Sequence, residues 1–267
     1  MIAALRAMGG PLIHLLNYLG SLTLLLQEVG RSLVHGRFCS QQWLKQLVEI
    51  GFRSQPIVIL TGSFTGSVLA AQGLFQLTQM KMQTMGGALV SVGMLRELGP
   101  TITGLMLAGR VGASMAAEIG TMRVTEQVDA LRSMGVHPVD YLVTPRFLAM
   151  AIATPLLIAE SAFFGIAASY LVGTQMFEVP EAYWVARMNA HTEMADIVIS
   201  MIKGFVFGMI IVLVSCQQGM SARNGAVGVG QGTTKAMVIS SITILIANFF
   251  ITLALNILFP IGITSPG

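Results

Sequence analysis

The chain has 267 residues, of which 54% are hydrophobic and only 10% are charged. An ordinary soluble domain carries about 25% charged residues, so the composition excludes a typical soluble enzyme. The net charge of +3 is spread along the chain without a basic cluster, and it gives no sign of a nucleic-acid partner.

The first 55 residues have a mixed character. The stretches "LIHLLNYLGSLTLLLQEVGRSLVHG" and "SQQWLKQLVEIGF" alternate apolar and polar groups at helical spacing. Such amphipathic helices lie in the membrane interface rather than crossing it. We therefore expect residues 1–55 to form one or two N-terminal interfacial helices.

Five apolar segments follow, each long enough to cross a hydrocarbon core of about 30 Å. They predict an all-α polytopic membrane protein with five transmembrane helices, a permease-type domain over residues 56–259 and a short tail at 260–267. The predicted spans are 56–80, 88–118, 147–173, 196–216 and 236–259.

The cations of the polar segments are distributed unevenly. Ten lie in the N-terminal region, the loop between spans two and three, and the loop between spans four and five, whereas only Lys81 and Arg187 lie in the two opposite loops. Cytoplasmic loops carry an excess of Lys and Arg. We therefore expect a cytoplasmic N-terminus and a C-terminus on the other side.

Five charged residues fall within the apolar segments. A charge near the centre of the bilayer costs several kcal/mol, about 3 on insertion scales, so such residues usually face protein or a wet cavity. For Arg96, Glu97 and Lys203 a cavity is favoured. For Arg110 and Glu160, a structural role by pairing or by snorkelling to a helix end is equally open.

The second predicted span contains a proline directly after its charged pair. Gly99 and Pro100 follow Arg96 and Glu97, and proline removes a backbone donor within a helix. A break or kink there would mark a substrate site in a transporter. A kink that only shapes helix packing is the alternative.

Two glycine pairs have the small-xxx-small spacing of closely packed membrane helices. They are Gly62 with Gly66 in "GSFTG" and Gly204 with Gly208 in "GFVFG". The spacing predicts close helix packing, within the chain or in a homodimer, and no chemistry.

The stretch "TMRVTEQVDALRSMG", residues 121–135, predicts a short cytoplasmic helix over 125–134. Thr125 is a candidate N-cap with Glu126 and Asp129 in the first turn, Arg132 lies in the last turn, and Gly135 is a stop signal. Val124, Val128, Leu131 and Met134 would form one apolar face. An acidic first turn binds an anionic leaflet poorly, so a protein partner is favoured over lipid headgroups.

Motifs for chemistry are weak or missing in the sequence. "NGAVGVGQGTTK", residues 224–235, has the wrong order for a phosphate-binding P-loop and is interpreted as a flexible loop. Cys39 and Cys216 are far apart and indicate neither a disulfide framework nor a metal site. An intramembrane lipid enzyme would need a nucleophile and a base, and no such constellation is seen.

Residues 95–146, "LRELGPTITGLMLAGRVGASMAAEIGTMRVTEQVDALRSMGVHPVDYLVTPR", resemble the signature region of the MlaE/YrbE permeases. The resemblance extends from about residue 45 to 259 and includes "GSFTGSVLAAQG", "MIKGFVFG" and "GAVGVGQGTTKAMV". It implies an MlaE-like fold and a multi-pass location in the inner membrane of Gram-negative bacteria. It also implies transport of phospholipid between inner and outer membranes, which maintains outer-membrane lipid asymmetry.

The resemblance also implies partners. Two copies would pair, and a cytoplasmic ABC ATPase (MlaF-like) would bind ATP and Mg, so this chain would hold no cofactor and would not be an enzyme. An MCE-domain protein (MlaD-like) would lie on the periplasmic side, and a STAS-domain protein (MlaB-like) would bind the ATPase. Phospholipid is the implied ligand.

Positions that match the family motif carry the implied roles. A lipid-binding cavity at the dimer interface would be lined by Leu69, Leu77, Arg96, Glu97 and Lys203. Arg96 or Lys203 would hold a headgroup phosphate by charge-assisted hydrogen bonds. The short helix would be the coupling helix, and the residues implied for the ATPase contact are Glu126, Gln127, Asp129 and Leu131.

One alternative uses the same intramembrane charges. An ion- or proton-driven secondary transporter of a hydrophobic or anionic substrate would employ Glu97, Glu160 and the buried cations and would need no ATPase. It also predicts an internal repeat, and none is evident among the five spans.

Overall fold

A computed structural model describes residues 2–35 and 40–258. Within these ranges the chain forms helices and turns and no β-strand, which confirms the predicted all-α class. The predicted tail at 260–267 and Cys39 lie outside the described residues. The helices are α1 (Ile2–Val34), α2 (Ser40–Ile50), α3 (Gln55–Gln79), α4 (Gly86–Gly93), α5 (Gly99–Leu107), α6 (Ala113–Val124), α7 (Gln127–Ser133), α8 (Thr144–Gln175), α9 (Glu181–His191), α10 (Met194–Met220) and α11 (Gly225–Leu258).

Four helical stretches of the described residues are long and apolar enough to cross a membrane. They are Gln41–Gln79, Val139–Gln175, Met194–Met220 and Gly225–Ile257. The first joins α2 to α3 through the 3-10 turn Phe52–Ser54, so α2 leads directly into the helix of the first predicted span. The interfacial location expected for residues 1–55 stays a prediction.

The second predicted span, 88–118, is not among these four stretches, because its charged residues and glycines make it less apolar. The chain there is nevertheless helical from Gly86 to Val124, through two π turns at Met94–Leu98 and Ala108–Gly112. Pro100 does not open the backbone, because it lies in the first turn of α5 directly after the first π turn. The expected break is therefore a widened helical turn.

Helix α8 is central to the fold and packs against α2, α3 and α10. It runs from the end of the molecule that carries α7 to the end that carries α9, and these are named the α7 end and the α9 end. Gly62 of α3 lies against Ser161 of α8, and Gly66 lies against Gly165, so the two helices run in the same direction.

The glycine pairs pack within the protomer. A Cβ atom on Gly66 would lie 2.0 Å from the carbonyl oxygen of Gly165, so the α3 and α8 backbones are in direct contact there. Gly204 and Gly208 of α10 lie against Pro155 and Thr154 of α8 in the same way. Close approach of this kind is the use of small residues that the spacing predicts.

Helix α9 was not anticipated within the loop at 174–195, and it is anchored by one tryptophan. Trp184 is fully buried in a slot formed by Gly86, Gly87 and Gly173, where an added Cβ would lie 2.3 to 2.9 Å from Trp184 atoms. The indole therefore holds α9 against the start of α4 and the end of α8.

Helix α11 begins eleven residues earlier than the predicted fifth span. Asn224 and Gly225 adopt positive φ angles of 64°, and the helix starts there, so 225–235 is helical rather than the flexible loop that the glycines suggested. Along its length, α11 exposes a series of large apolar side chains, namely Ile242, Leu245, Ile246, Phe249, Phe250 and Leu253.

Candidate functional site

The first π turn places two adjacent charged residues toward the interior. A π turn inserts one residue into a helix and re-aims the side chains around it, and such turns are frequent at functional sites. Arg96 points to the start of α10, and Glu97 points to the middle of α10 and to α11. We call Arg96, Glu97, Asp196 and Lys203 the charged cluster.

Lys203 of α10 is the best-enclosed cation of the cluster. Its side chain is 1% exposed, and its Nζ donates to the Arg96 carbonyl oxygen at 2.6 Å, to Glu97 Oε1 at 2.9 Å and to Thr252 Oγ1 at 2.8 Å. An ammonium has three N–H donors, and all three are used. Lys203 therefore joins the π turn to α10 and α11 and has no donor left for a phosphate.

Glu97 is the open member of the cluster. Its Oε1 accepts from Lys203 and from Thr252 Oγ1 at 2.8 Å, and its Oε2 accepts from Asn248 Nδ2 at 3.0 Å. The Glu97 side chain is still 40% exposed. A carboxylate has about four acceptor sites, so Glu97 can accept a further hydrogen bond from a ligand.

Arg96 forms the second ion pair, with a residue that sequence reasoning missed. Its Nε donates to Asp196 Oδ1, and its Nη1 donates to Asn256 Oδ1 at 3.2 Å. Asp196 also accepts from the Glu193 backbone N–H at 2.9 Å in a capping box at the start of α10. The sequence signal was the acidic pair Glu193 and Asp196 at the spacing of a capping box.

The charged cluster is electrically balanced, with two cations and two carboxylates. Asp196 and Lys203 are almost fully enclosed and Arg96 is nearly so. Breaking such a buried pair is costly because it leaves an uncompensated charge. The cluster thus acts as a rigid joint between the π turn, α10 and α11, and it presents one polar group, the Glu97 carboxylate, to a ligand.

The structure brings together Arg96, Glu97 and Lys203, as expected for a common site. Leu69 lies on α3, where it packs beside the π turn and lines a groove of about 470 Å³ with Phe64, Val68 and Leu98. Leu77 lies two turns further along α3 and is half-exposed. Both leucines therefore lie on α3, and Leu69 is on the side of α3 that packs against the segment of the π turn.

The two intramembrane charges left open by the sequence have different surroundings. Arg110, in the second π turn, donates from Nη1 to Ser54 Oγ, so it has the structural role. Glu160 has no hydrogen bond or ion pair with any described residue and lines a largely apolar groove between α2 and α8.

The short helix predicted over 125–134 is present but starts at a different residue. Helix α7 runs from Gln127 to Ser133, and Glu126 precedes it in a left-handed conformation with φ 61°. Thr125 is not its N-cap, because its hydroxyl donates back to the Thr121 carbonyl of α6 at 2.8 Å. Thr125 is instead the C-cap of α6, and the left-handed Glu126 occupies the N-cap position of α7, where its carbonyl accepts from the Ala130 N–H at 2.9 Å.

The end of α7 follows the prediction. Gly135 has φ +75°, its N–H donates to the Arg132 carbonyl, and the Val136 N–H donates to the Leu131 carbonyl. This pair of bonds is the Schellman arrangement, in which a left-handed glycine ends a helix.

The polar side of α7 is exposed and partly paired. Asp129, 50% exposed, binds Arg123 at 2.7 Å and Arg132 at 3.1 Å. Glu126 and Gln127 are exposed and Leu131 is half-buried. Of the predicted apolar face only Val128 is buried, and Met134 is 69% exposed, so the helix presents both charged and apolar groups at the α7 end.

Comparison with known proteins gives one family. The model of the permease MlaE family matches residues 43–254. A probable ABC transporter permease protein of Rickettsia conorii is 43% identical over 209 residues, which is 78% of this chain and 81% of that protein. A probable ABC transporter permease protein of Rickettsia felis is 39% identical over 247 residues, 92% of this chain and 95% of that protein. The protein TRIGALACTOSYLDIACYLGLYCEROL 1, chloroplastic, of Arabidopsis thaliana is 36% identical over 234 residues, 87% of this chain and 66% of that protein.

Proposed function

From the premise that this chain belongs to the MlaE permease family and is a multi-pass ABC transporter permease, we propose that its substrate is phospholipid. The transport path runs between the inner and outer membranes of a bacterium and maintains outer-membrane lipid asymmetry. A lipid substrate is supported by the plant relative, whose name refers to a galactosylated diacylglycerol.

The observation that carries the proposal is the charged cluster with its single open carboxylate. A polar headgroup inside the membrane needs a hydrogen-bonding partner, and Glu97 offers one beside the apolar surfaces of α3 and α11. Lys203, Asn248 and Thr252 hold Glu97 in place. Leu69 and Leu77 provide apolar surface on α3 for the acyl chains.

The exposed apolar side chains of α11 and α3 support a homodimer. Phe64 and Phe75 of α3 and Phe249 and Phe250 of α11 are each more than half exposed. Apolar surface of this kind is covered by lipid or by a second chain. In the proposed complex two copies meet along these helices and enclose the lipid cavity.

The remaining partners follow from the transporter class. ATP and Mg are bound by a separate cytoplasmic ABC ATPase, which docks on α7 through Glu126, Gln127, Asp129 and Leu131. The α7 end is then cytoplasmic, and the α9 end faces the periplasm, where an MCE-domain protein receives the lipid. A STAS-domain protein binds the ATPase.

Replacing both Glu126 and Asp129 with lysine tests the α7 contact. We expect the ATPase to be lost from pull-downs because the charge of the docking surface is reversed, while membrane insertion is retained. Replacing Glu178 and Glu181 with lysine is the matched control, since it makes the same charge change at the α9 end. Unchanged ATPase recovery with the α7 variant would refute this role.

Replacing Glu97 with alanine tests the lipid site. We expect less co-purified phospholipid and weaker outer-membrane integrity, whereas Glu28→Ala, which removes an exposed carboxylate of α1, leaves both unchanged. Substrate movement in sealed vesicles driven by an ion gradient without any ATPase would instead establish a secondary transporter.

A further inference from the structure

A further apolar groove shares no lining residue with the groove at Leu69. It has a volume of about 700 Å³ and lies between α8 and α10, with Leu95 of the π turn as its inner wall and Met188 and Asn189 of α9 at one end. Small-molecule pockets typically measure about 300–1,000 Å³. The groove is therefore large enough for part of a lipid.

The length of the groove matches one membrane leaflet. Its α8 wall runs from Ala159 to Leu171, and twelve residues of α-helix span about 18 Å. Half of a hydrocarbon core of about 30 Å is roughly 15 Å. The groove thus reaches from the edge of the membrane at the α9 end to about its middle.

The groove is continuous with the bilayer-facing surface of the same helices. Phe163 and Leu171 on α8 and Ile197 on α10 line it and are 66%, 60% and 42% exposed. The polar groups are concentrated at the α9 end, where Asn189 is exposed and Thr192 donates to Ser91 at 2.8 Å. This polarity gradient is that of a phospholipid, with a polar end at the membrane edge and an apolar end below it.

One polar atom inside the groove has no partner. The Ser200 hydroxyl of α10 is buried and makes no hydrogen bond with any described residue. A buried hydroxyl without a partner is unfavourable. This hydroxyl lies level with Ala159 at the inner end of the groove, because Gly204, one turn further along α10, packs against Pro155 of α8.

We propose that a phospholipid of the leaflet at the α9 end inserts one acyl chain into this α8–α10 groove. Its headgroup lies at the edge formed by Asn189 and Thr192, and the acyl chain runs from there past Phe163 to the inner end of the groove at Ala159 and Met201. The inference rests on the proposed lipid-transport function and adds a lateral binding site on the Leu95 side of the π turn that carries Arg96 and Glu97.

The test uses the full chain in vesicles of phosphatidylethanolamine and phosphatidylglycerol that contain a trace of phosphatidylethanolamine with a photoreactive acyl chain. After irradiation, we expect peptides with Phe163 and Met201 to be labelled. Ala167→Trp should fill the groove and lower this labelling about tenfold, a change equivalent to roughly 1.4 kcal/mol. Ile152→Trp is the matched control on another bilayer-facing side of α8 and should leave the labelling unchanged.

A second filling variant, Met201→Trp, approaches from the α10 wall, so the test does not depend on the folding of one variant. The site would be overturned if the extent of labelling in the groove is unchanged in both variants. It would also be overturned if the groove is labelled no more strongly than the exposed side chains of α11. If peptides near Leu69 are labelled, lose this label in Glu97→Ala, and the groove is never labelled, only this inference is refuted. If the groove is labelled and the peptides near Leu69 are not, only the lipid site at Glu97 is refuted. Loss of groove labelling when the ATPase and periplasmic partners are added would show that a partner helix occupies it instead.

Discussion

Two groups of ion pairs within the described residues, the charged cluster and the pairs of Asp129 at α7, differ in enclosure. In the charged cluster, Lys203 is 1% exposed and all three of its donors are used within the protein. At α7, Asp129 is 50% exposed and binds two arginines that are themselves partly open to solvent. An enclosed pair is costly to break, whereas an exposed pair contributes about 0–1 kcal/mol.

This difference separates two uses of charge in one membrane protein. The enclosed cluster fixes how the π turn, α10 and α11 meet, and it has little freedom to rearrange. The exposed pairs at α7 are weak enough to be exchanged for contacts with a partner. Substitutions in the charged cluster should therefore cost more stability than substitutions at α7.

Lys203→Met should give the largest loss of stability. It removes the donor to Glu97, Thr252 and the Arg96 carbonyl, and we expect a loss of about 2–3 kcal/mol in the free energy of unfolding. The loss stays below that of a fully buried pair because water reaches Glu97. Thermal unfolding of the solubilised protein measures it, with the exposed Lys235→Met as control. Equal unfolding midpoints for the two variants would contradict an enclosed cluster.

Removing both partners should cost less than the sum of the single changes. In Lys203→Met with Glu97→Leu, no uncompensated charge remains, so part of the stability lost in Lys203→Met returns. A double-mutant cycle should give a coupling of about 1 kcal/mol or more between the two positions. Strictly additive effects would show that the two side chains do not interact.

Asp196 allows the ion pair and the helix cap to be separated. Asp196→Asn removes the charge facing Arg96 but keeps an acceptor for the Glu193 N–H, whereas Asp196→Ala removes both. We expect Asp196→Ala to lower the free energy of unfolding by about 1 kcal/mol more than Asp196→Asn does, which is the usual contribution of an N-cap interaction. Identical unfolding midpoints would exclude a contribution of the cap.

Asp129→Ala should have the smallest effect on stability. We expect a change of less than about 1 kcal/mol that shrinks further as salt is raised, because exposed pairs are screened. The measurement is thermal unfolding at low and high ionic strength. A loss as large as that of Lys203→Met would mean that α7 is part of the folded core.

Much of this architecture could be predicted from local patterns. Apolar segments of spanning length located the helical stretches that contain α3, α8, α10 and α11, and Gly135 correctly marked the end of α7. The errors came where local signals conflict with context. Thr125 has the chemistry of a cap but lies in the reversal after α6, and the glycines at 225–235 suggested a loop although they form the first turns of α11.

Sequence alone also selected Arg96, Glu97 and Lys203 as unusual, because a charge in an apolar segment stands out from its neighbours. It did not show that Lys203 would use all its donors within the protein, that Asp196 would pair with Arg96, or that Ser200 would be left without a partner in a groove. These partners are about 100 residues apart in the chain, and a π turn decides which way each side chain points. Local periodicity reports only whether a residue is buried, whereas the pairing of buried groups depends on which helices pack together, and only the tertiary structure decides that.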